Sequence, residues 1–303
     1  MVSDEGGLSV PELPEVEVVR QGLDGILPGK TIQHVDFDWP KSFPNNPSDI
    51  QQFLIDAQVM SVRRRAKVLM IELSSGYTLM IHLKMTGQLV FVSSQTGERF
   101  GAGHPNESLV SRLPDKSTRV TLTFSDESRL FFNDQRKFGW MKLLSSVELQ
   151  QDRFLLSVGP EPLEGGFTPD AFIKRLRRHQ GVMIKVALLN QQIVAGIGNI
   201  YADESLWGAQ LHPERRVASI SDEDIHQLHT EIQAILASAI AAGGSTDKTY
   251  VNAKGEKGSY LSIARVFRRE GQPCPRCNET ISKIRVAGRG THLCMICQRM
   301  KLK

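Results

Sequence analysis

At 303 residues with 40% apolar content, the chain is long enough for more than one hydrophobic core, and no apolar stretch approaches the ~18 uncharged residues that a helical membrane span needs. Its net charge of +4 hides an asymmetry: Leu261 to Lys303 holds ten Lys or Arg against two acidic residues, a local +8, while the other 260 residues sum to −4. A basic C-terminal part on a mildly acidic body suggests a polyanion partner, most simply nucleic acid, although charge alone also fits a solvated basic tail.

Met1 to Val10 has neither the apolar core of a signal peptide nor the cationic face of a transit peptide. The run Pro11-Glu12-Leu13-Pro14-Glu15-Val16-Glu17 leads into a helix predicted from Pro14 to about Leu27. Pro14 suits a first turn, Glu15 and Glu17 complement the positive helix end, and Val16, Val19, Leu23 and Ile26 trace one apolar face. Gly25 and Pro28 help to end it. The chain then alternates like strands. Val35, Phe37 and Trp39 share one face, Val68 to Leu73 and Tyr77 to Leu83 flank the turn Ser74-Ser75-Gly76, and Val120, Leu122 and Phe124 share another face. This half reads as a β-sandwich. Ser94 to Lys116, polar with scattered Gly, Pro and Arg, reads as a mobile insertion.

Gly159 to Gly166 is a linker by composition, and helical periodicity takes over beyond it. Thr168-Pro169 is a start signal. Ser221-Asp-Glu-Asp224 resembles a capping box ahead of the apolar run Ile225 to Ile240, which Gly243-Gly244 stops. Between these helices lies Gly196-Ile-Gly-Asn-Ile-Tyr-Ala-Asp-Glu204. Two glycines and an asparagine ahead of a helix can turn N–H groups toward a phosphate, but they serve equally well as an ordinary helix–helix turn.

All four cysteines lie near the C-terminus. Cys274-Pro-Arg-Cys277 and Cys294-Met-Ile-Cys297, sixteen residues apart, have the spacing of a tetrathiolate zinc site. Each pair forms a knuckle with two sulfurs on one side of a turn, and two knuckles complete a tetrahedron. Two disulfides would use the same residues, but nothing indicates secretion and no cysteine is left over. Four thiolates close such a site, so His292 is read as non-ligating.

Together these pieces resemble the formamidopyrimidine-DNA glycosylases over nearly the whole chain from Pro11 onward. The resemblance is carried by Pro11 to Glu17, Arg64-Arg65-Ala66-Lys67, His82-Leu-Lys-Met-Thr-Gly87, Asp134-Gln-Arg-Lys-Phe-Gly139, Gly196 to Leu206, and the four-cysteine ribbon with Val286-Ala-Gly-Arg-Gly-Thr291. It implies a multidomain α+β fold: an N-terminal β-sandwich flanked by helices, a helix–two-turn–helix domain and a C-terminal zinc ribbon. The expected divisions are a leader at 1–10, a catalytic β-sandwich domain at 11–150, a linker at 151–168, a helix–two-turn–helix domain with a lesion-covering loop at 169–260, and a zinc-finger domain at 261–303.

The implied activity is base-excision repair: removal of 8-oxoguanine and formamidopyrimidines from double-stranded DNA, then strand cleavage at the abasic site through a Schiff base. By resemblance Pro11 is the nucleophile, Glu12 the acid that opens the deoxyribose ring, and Lys67 a contact to lesion and phosphate. Met85, Arg136 and Phe138 match the side chains that fill the void left by an extruded base. His82 and Asn199 match phosphate contacts, Arg289 the zinc-finger arginine that grips the backbone, and Lys185 and Glu204 positions near the extruded base. Tyr250 to Tyr260 matches the loop that covers that base. One structural zinc ion, a monomeric state and a cytoplasmic bacterial location complete the expectation.

On residue type alone several of these have blander readings. Glu12 could be a solvated first-turn carboxylate, Arg63 to Lys67 a basic strand edge, and Met85 and Phe138 core residues. Two departures stand out. The family's proline is the first residue of the mature enzyme, whereas here it follows ten others, and an internal proline nitrogen is a tertiary amide with no basic lone pair. The expected explanation is that Val10 marks a valine-type start codon read as methionine, whose removal exposes Pro11; a processed leader or a blocked protein are the alternatives. Secondly, a Lys-His-x-His pattern is replaced by Lys116-Ser-Thr-Arg119, so that those histidines' phosphate contacts are lost or taken over by Arg119. Competing functions are an endonuclease VIII-like glycosylase for oxidised pyrimidines, a non-catalytic lesion-binding paralogue, and a zinc-ribbon transcription factor, which would use only the last forty or so residues.

Overall fold

The computed structural model describes residues 11–104, 107–245 and 260–300; Met1 to Val10 and, except for Tyr260, the expected lesion-covering loop lie outside the described residues. The chain divides into two compact units, Met1–Leu156 with Gly243–Ser259, and Ser157–Ala242 with Tyr260–Lys303.

In the first unit, helix α1 (Leu13–Asp24) begins one residue before the expected proline. Pro14 occupies its first turn, where a missing N–H costs nothing, and Val16, Val19 and Leu23 form its buried face. Among the described residues nine strands follow: β1 (Ile32–Phe37), β2 (Val59–Arg65), β3 (Val68–Leu73), β4 (Tyr77–His82), β5 (Gly87–Val92), β6 (Arg99–Gly103), β7 (Thr118–Phe124), β8 (Arg129–Asp134) and β9 (Trp140–Ser145). They form two antiparallel sheets in the orders β1-β7-β8-β5-β6 and β2-β3-β4-β9. Leu69, Ile71, Leu79 and Ile81 from one sheet, and Leu89, Leu122, Phe124 and Phe132 from the other, share a single core with the apolar face of α1. Each such side chain contributes about 1.5–3 kcal/mol through burial.

Short helices complete this unit. α2 (Pro47–Asp49) runs into a π turn at Ile50–Leu54, and α3 (Ser146–Gln151) and α4 (Arg153–Ser157) follow β9. Strand β1 ends before Trp39, and because it is an edge strand Phe37 stays 43% exposed. The Ser94–Lys116 segment differs from expectation. Its residues Arg99–Gly103 are β6, paired to β5, with Phe100 and Ala102 buried. Gly22 makes room for this, since a Cβ there would fall 2.0 Å from the Phe100 ring.

The second unit contains α5 (Pro169–Leu176), α6 (Ile184–Leu189), α7 (Asn199–Gly208), α8 (Asp222–Ala241) and the single turn α9 (Tyr260–Ile263). Thr168 caps α5 through Ala171 N–H (3.2 Å), and Ser221 caps α8 through Asp224 N–H (3.1 Å), as the sequence signals require. Ile225, Leu228, Ile232, Ile235, Leu236 and Ala239 place the buried stripe of α8 against the other helices. Gly243 and Gly244, at φ of 77° and 86°, adopt the left-handed conformation that ends the helix.

The chain closes on the hairpin of β10 (Ser282–Val286) and β11 (Arg289–Leu293). Its two-residue turn, Ala287-Gly288, has positive φ at both positions, which matches the twist of paired strands. No helix among the described residues is long and apolar enough to cross a membrane.

Candidate active site and nucleic-acid interface

At the N-terminal end of α1, Pro11 and Glu12 are buried, Glu12 to 3% exposure. The Glu12 N–H donates to Glu15 Oε2 at 2.9 Å, which fixes the backbone at the helix start, and the positive end of the helix favours both carboxylates. The other Glu15 oxygen accepts the N–H of Ser245 at 2.8 Å, just beyond Gly244. One turn on, Glu17 accepts Arg64 Nε at 2.8 Å, and Arg64 Nη1 donates to the carbonyl of Ala66 at 2.8 Å. Ala66 takes a φ of 52° in the β2–β3 turn, and Lys67 follows it, half-buried. A carboxylate of α1 thus shapes the turn that carries Lys67.

His82 ends β4 beside Trp140 (5.8 Å between rings) and Phe154 (6.2 Å). Its Nδ1 accepts the N–H of Lys84 at 3.0 Å, which assigns the ring proton to Nε2. Burial, then the charges of Lys84 and Lys67, pushes its pKa down to about 3, so the ring is a neutral Nε2–H donor near pH 7.

The turns after β4 and after β8 lie side by side, because Gly87 of β5 is in register with Asp134 of β8. The first presents Met85, 36% exposed, and the second presents Arg136 and Phe138, the latter 53% exposed. Arg136 stacks over the Phe138 ring at 4.9 Å. The structure therefore brings this trio together and keeps Met85 and Phe138 out of the core. Arg119 behaves differently. It is buried, and its guanidinium donates to the Asp134 carbonyl (3.0 Å), the Asp38 carboxylate and the Lys116 carbonyl. These bonds hold it inside the unit instead of offering it as a replacement phosphate contact.

In the second unit Asn199 is the first residue of α7, behind Gly198, and its Nδ2 donates to the carbonyl of Gly290 at 3.0 Å. Arg289, next to Gly290, is exposed beside the hairpin turn. Lys185 and Glu204, expected near the extruded base, are both 0% exposed in this conformation. Lys185 Nζ contacts Asp203 Oδ1 (2.6 Å), Thr291 Oγ1 (2.7 Å) and the Gly290 carbonyl (3.3 Å). Glu204 accepts the backbone N–H groups of Arg265, Val266 and Phe267 at 2.8–2.9 Å. Burial raises the Glu204 carboxyl above its ordinary range, and those three N–H groups pull the other way. Asp203 also accepts His292 N–H at 2.9 Å. The acidic pair of α7 thus holds the hairpin with one carboxylate and the segment leading into the ribbon with the other.

The four cysteine sulfurs lie within 4.8 Å of one another, with separations of 3.4 Å (Cys277–Cys294 and Cys277–Cys297) and 3.9 Å (Cys274–Cys297), and all four are free thiols. A tetrahedron with zinc–sulfur bonds of about 2.3 Å has edges of about 3.8 Å, so the donor set fits one structural zinc ion. Trp207 of α7 donates Nε1–H to Cys274 Sγ at 3.4 Å and lies under Arg276, 4.0 Å from its ring. His292 stays outside the cluster and packs edge-on to Phe267 at 5.1 Å.

Sequence reasoning did not single out Asp134, Thr86, Asp203 or Trp207, and read Glu15 only as a complement to the helix end. Their roles lie in buried hydrogen bonds that no spacing rule reveals. Their one signal was position: each stands inside, or one residue beyond, a run quoted for its neighbours.

Comparison with known proteins covers the same three regions. The family model of the formamidopyrimidine-DNA glycosylase N-terminal domain matches residues 10–141, that of the formamidopyrimidine-DNA glycosylase H2TH domain residues 158–251, and that of the zinc finger found in FPG and IleRS residues 271–299. The chain is 39% identical over 293 residues to the formamidopyrimidine-DNA glycosylase of Enterococcus faecalis, covering 96% of this chain and 98% of that one. It is also 39% identical to that of Chloroflexus aurantiacus, covering 95% and 98%. Among solved structures it is similar to a Lactococcus lactis FPG mutant in complex with Fapy-dG-containing DNA (TM-score 0.84, 33% identity, 96% and 100% covered). It is likewise similar to Lactococcus lactis Fpg with abasic-site DNA (TM-score 0.82, 33% identity, 95% and 100% covered).

Proposed function

The chain belongs to the formamidopyrimidine-DNA glycosylase family, and from that membership we infer its activity: it excises oxidised purines from duplex DNA and cleaves the strand at the abasic site so produced. The observation that carries this reading is a likeness over nearly the full chain to relatives bound to lesion-containing and abasic DNA, joined to a buried Pro11-Glu12 pair at the head of α1. One zinc ion belongs to the four-cysteine ribbon and supplies folding energy there; it takes no part in the chemistry. We place the protein in the bacterial cytoplasm, on DNA.

The residue roles follow from chemistry. A terminal secondary amine has a pKa near ~8, so a usable fraction is neutral at physiological pH. The neutral Pro11 nitrogen attacks C1′ of the damaged nucleotide as the glycosidic bond breaks, and the proton that the nitrogen then sheds leaves on the base. Glu12 protonates O4′ as the C1′–O4′ bond opens, which leaves an iminium between C1′ and the proline nitrogen. That cation draws electrons as the C2′ proton is lost and the 3′ phosphate departs; loss of the 5′ phosphate follows by δ-elimination.

Lys67, His82, Asn199 and Arg289 serve as contacts to lesion and phosphates, with His82 donating from Nε2. Extrusion of the base costs a few kcal/mol, and Met85, Arg136 and Phe138 fill the vacated space, the guanidinium facing the orphaned base. Lys185 and Glu204 support the ribbon from within instead of touching the base, as their burial favours.

The reaction needs Pro11 to carry a free amine. Borohydride trapping on an 8-oxoguanine:cytosine duplex, comparing the 303-residue chain with a protein that begins at Pro11, tests this directly. Covalent capture by the Pro11-initiated protein and not by the intact longer chain is the expected result. Capture by an intact, unprocessed longer chain would assign the chemistry to another amine.

A further inference from the structure

Asp134 opens the segment that carries Arg136 and Phe138, yet the roles above leave its carboxylate unused. It is fully buried and both of its oxygens are engaged. Oδ2 accepts the N–H of Gly139 at 2.6 Å. Oδ1 accepts the hydroxyl of Thr86 and shares the N–H of Arg136 with it, at 3.2 Å to the carboxylate and 3.1 Å to Thr86 Oγ1. Thr86 is itself buried and is the immediate neighbour of Met85. One carboxylate and one hydroxyl therefore tie together the two turns that present all three exposed side chains.

The turn is of a kind that needs tying. Lys137 takes a φ of 59°, and a Cβ at Gly139 would lie 2.6 Å from the Phe132 ring and 3.0 Å from the His82 carbonyl. From the other side Arg119 Nε donates to the Asp134 carbonyl at 3.0 Å, and its remaining donors are held by Asp38 and Lys116.

We propose that Asp134, with Thr86 above and Arg119 below, is a positioning bracket that holds Met85, Arg136 and Phe138 in register as one void-filling unit and thereby sets discrimination of the base opposite the lesion, a proposal that rests on the void-filling role given to those three. A long guanidinium reads a partner base only when its backbone is fixed. Here the Arg136 N–H is held by two acceptors at once, so loosening either frees the reader without removing it.

Asp134→Asn is the direct variant but risks misfolding, so the decisive ones are Thr86→Val, which keeps shape and loses the hydroxyl, and Arg119→Met. The measurement is kcat/KM for 8-oxoguanine opposite cytosine and opposite adenine, alongside melting temperature, with Arg136→Ala as reference. Arg136→Ala is expected to collapse the preference. Thr86→Val and Arg119→Met are expected to narrow it about fivefold, the weight of one hydrogen bond, and Thr86→Ser to restore it. If Arg136→Ala relaxes the preference while Thr86→Val and Arg119→Met lower only the melting temperature, the bracket is overturned and the void-filling role stands. If Arg136→Ala leaves the preference intact, the void-filling role falls and the bracket with it.

Discussion

His82 carries a pH signature of its own. In the folded protein its ring resists protonation until about pH 3, whereas an unfolded histidine takes a proton near ~6.5. Between those values the unfolded state binds more protons. Stability is therefore fully present above about pH 6.5 and is lost as pH falls toward 3, by at most about 1.4 kcal/mol per pH unit from this one group. Urea titrations at pH 7 and pH 5 check this: His82→Gln should lose less stability over that interval than the parent protein, and equal losses would contradict a ring that stays neutral in the folded state. Sequence context had singled out His82, but its tautomer came only from the 3.0 Å bond to Lys84 N–H.

At the scale of elements, α7 does more than open behind two glycines. Asp203 holds the ribbon's hairpin and Glu204 the segment leading into the ribbon, and Lys185 is enclosed with Asp203. Replacing Asp203 with Asn would leave a buried ammonium opposite a neutral amide, which should cost about 3–5 kcal/mol of stability in denaturant titrations. A loss under about 1 kcal/mol would mean that the pair is not holding the hairpin. Helices α5 and α8, with their Ser and Thr caps, were legible in the sequence because their signals are local. Strands β3 and β4 were legible because a Gly turn separates two alternating runs. The exposure of β1 and the recruitment of β6 from a polar stretch were not, since an edge position and a glycine-sized gap for Phe100 are set by tertiary packing. For the same reason the burial of Lys185 and Glu204 could not be read from the sequence.

For the molecule as a whole, charge and metal meet in the ribbon. Each neutralised phosphate adds about 0.9 to the slope of log affinity against log salt. Chelating the zinc should unravel the seat of Arg289, weaken DNA binding and lower that slope by about one contact. Unchanged affinity and slope in metal-free protein would detach the grip from the ribbon.

The bond between Glu15 and the N–H of Ser245 joins positions 230 residues apart in the chain. On a ribosome adding about 5–20 residues per second, the partner of Glu15 is made roughly 10–50 s after Glu15 itself. The sandwich can collapse on its own schedule, but the head of α1 is clamped only when synthesis has passed the end of α8. The head of α1 is thus finished later than the sandwich around it, and the clamp can form only on chains that already carry the whole of α8.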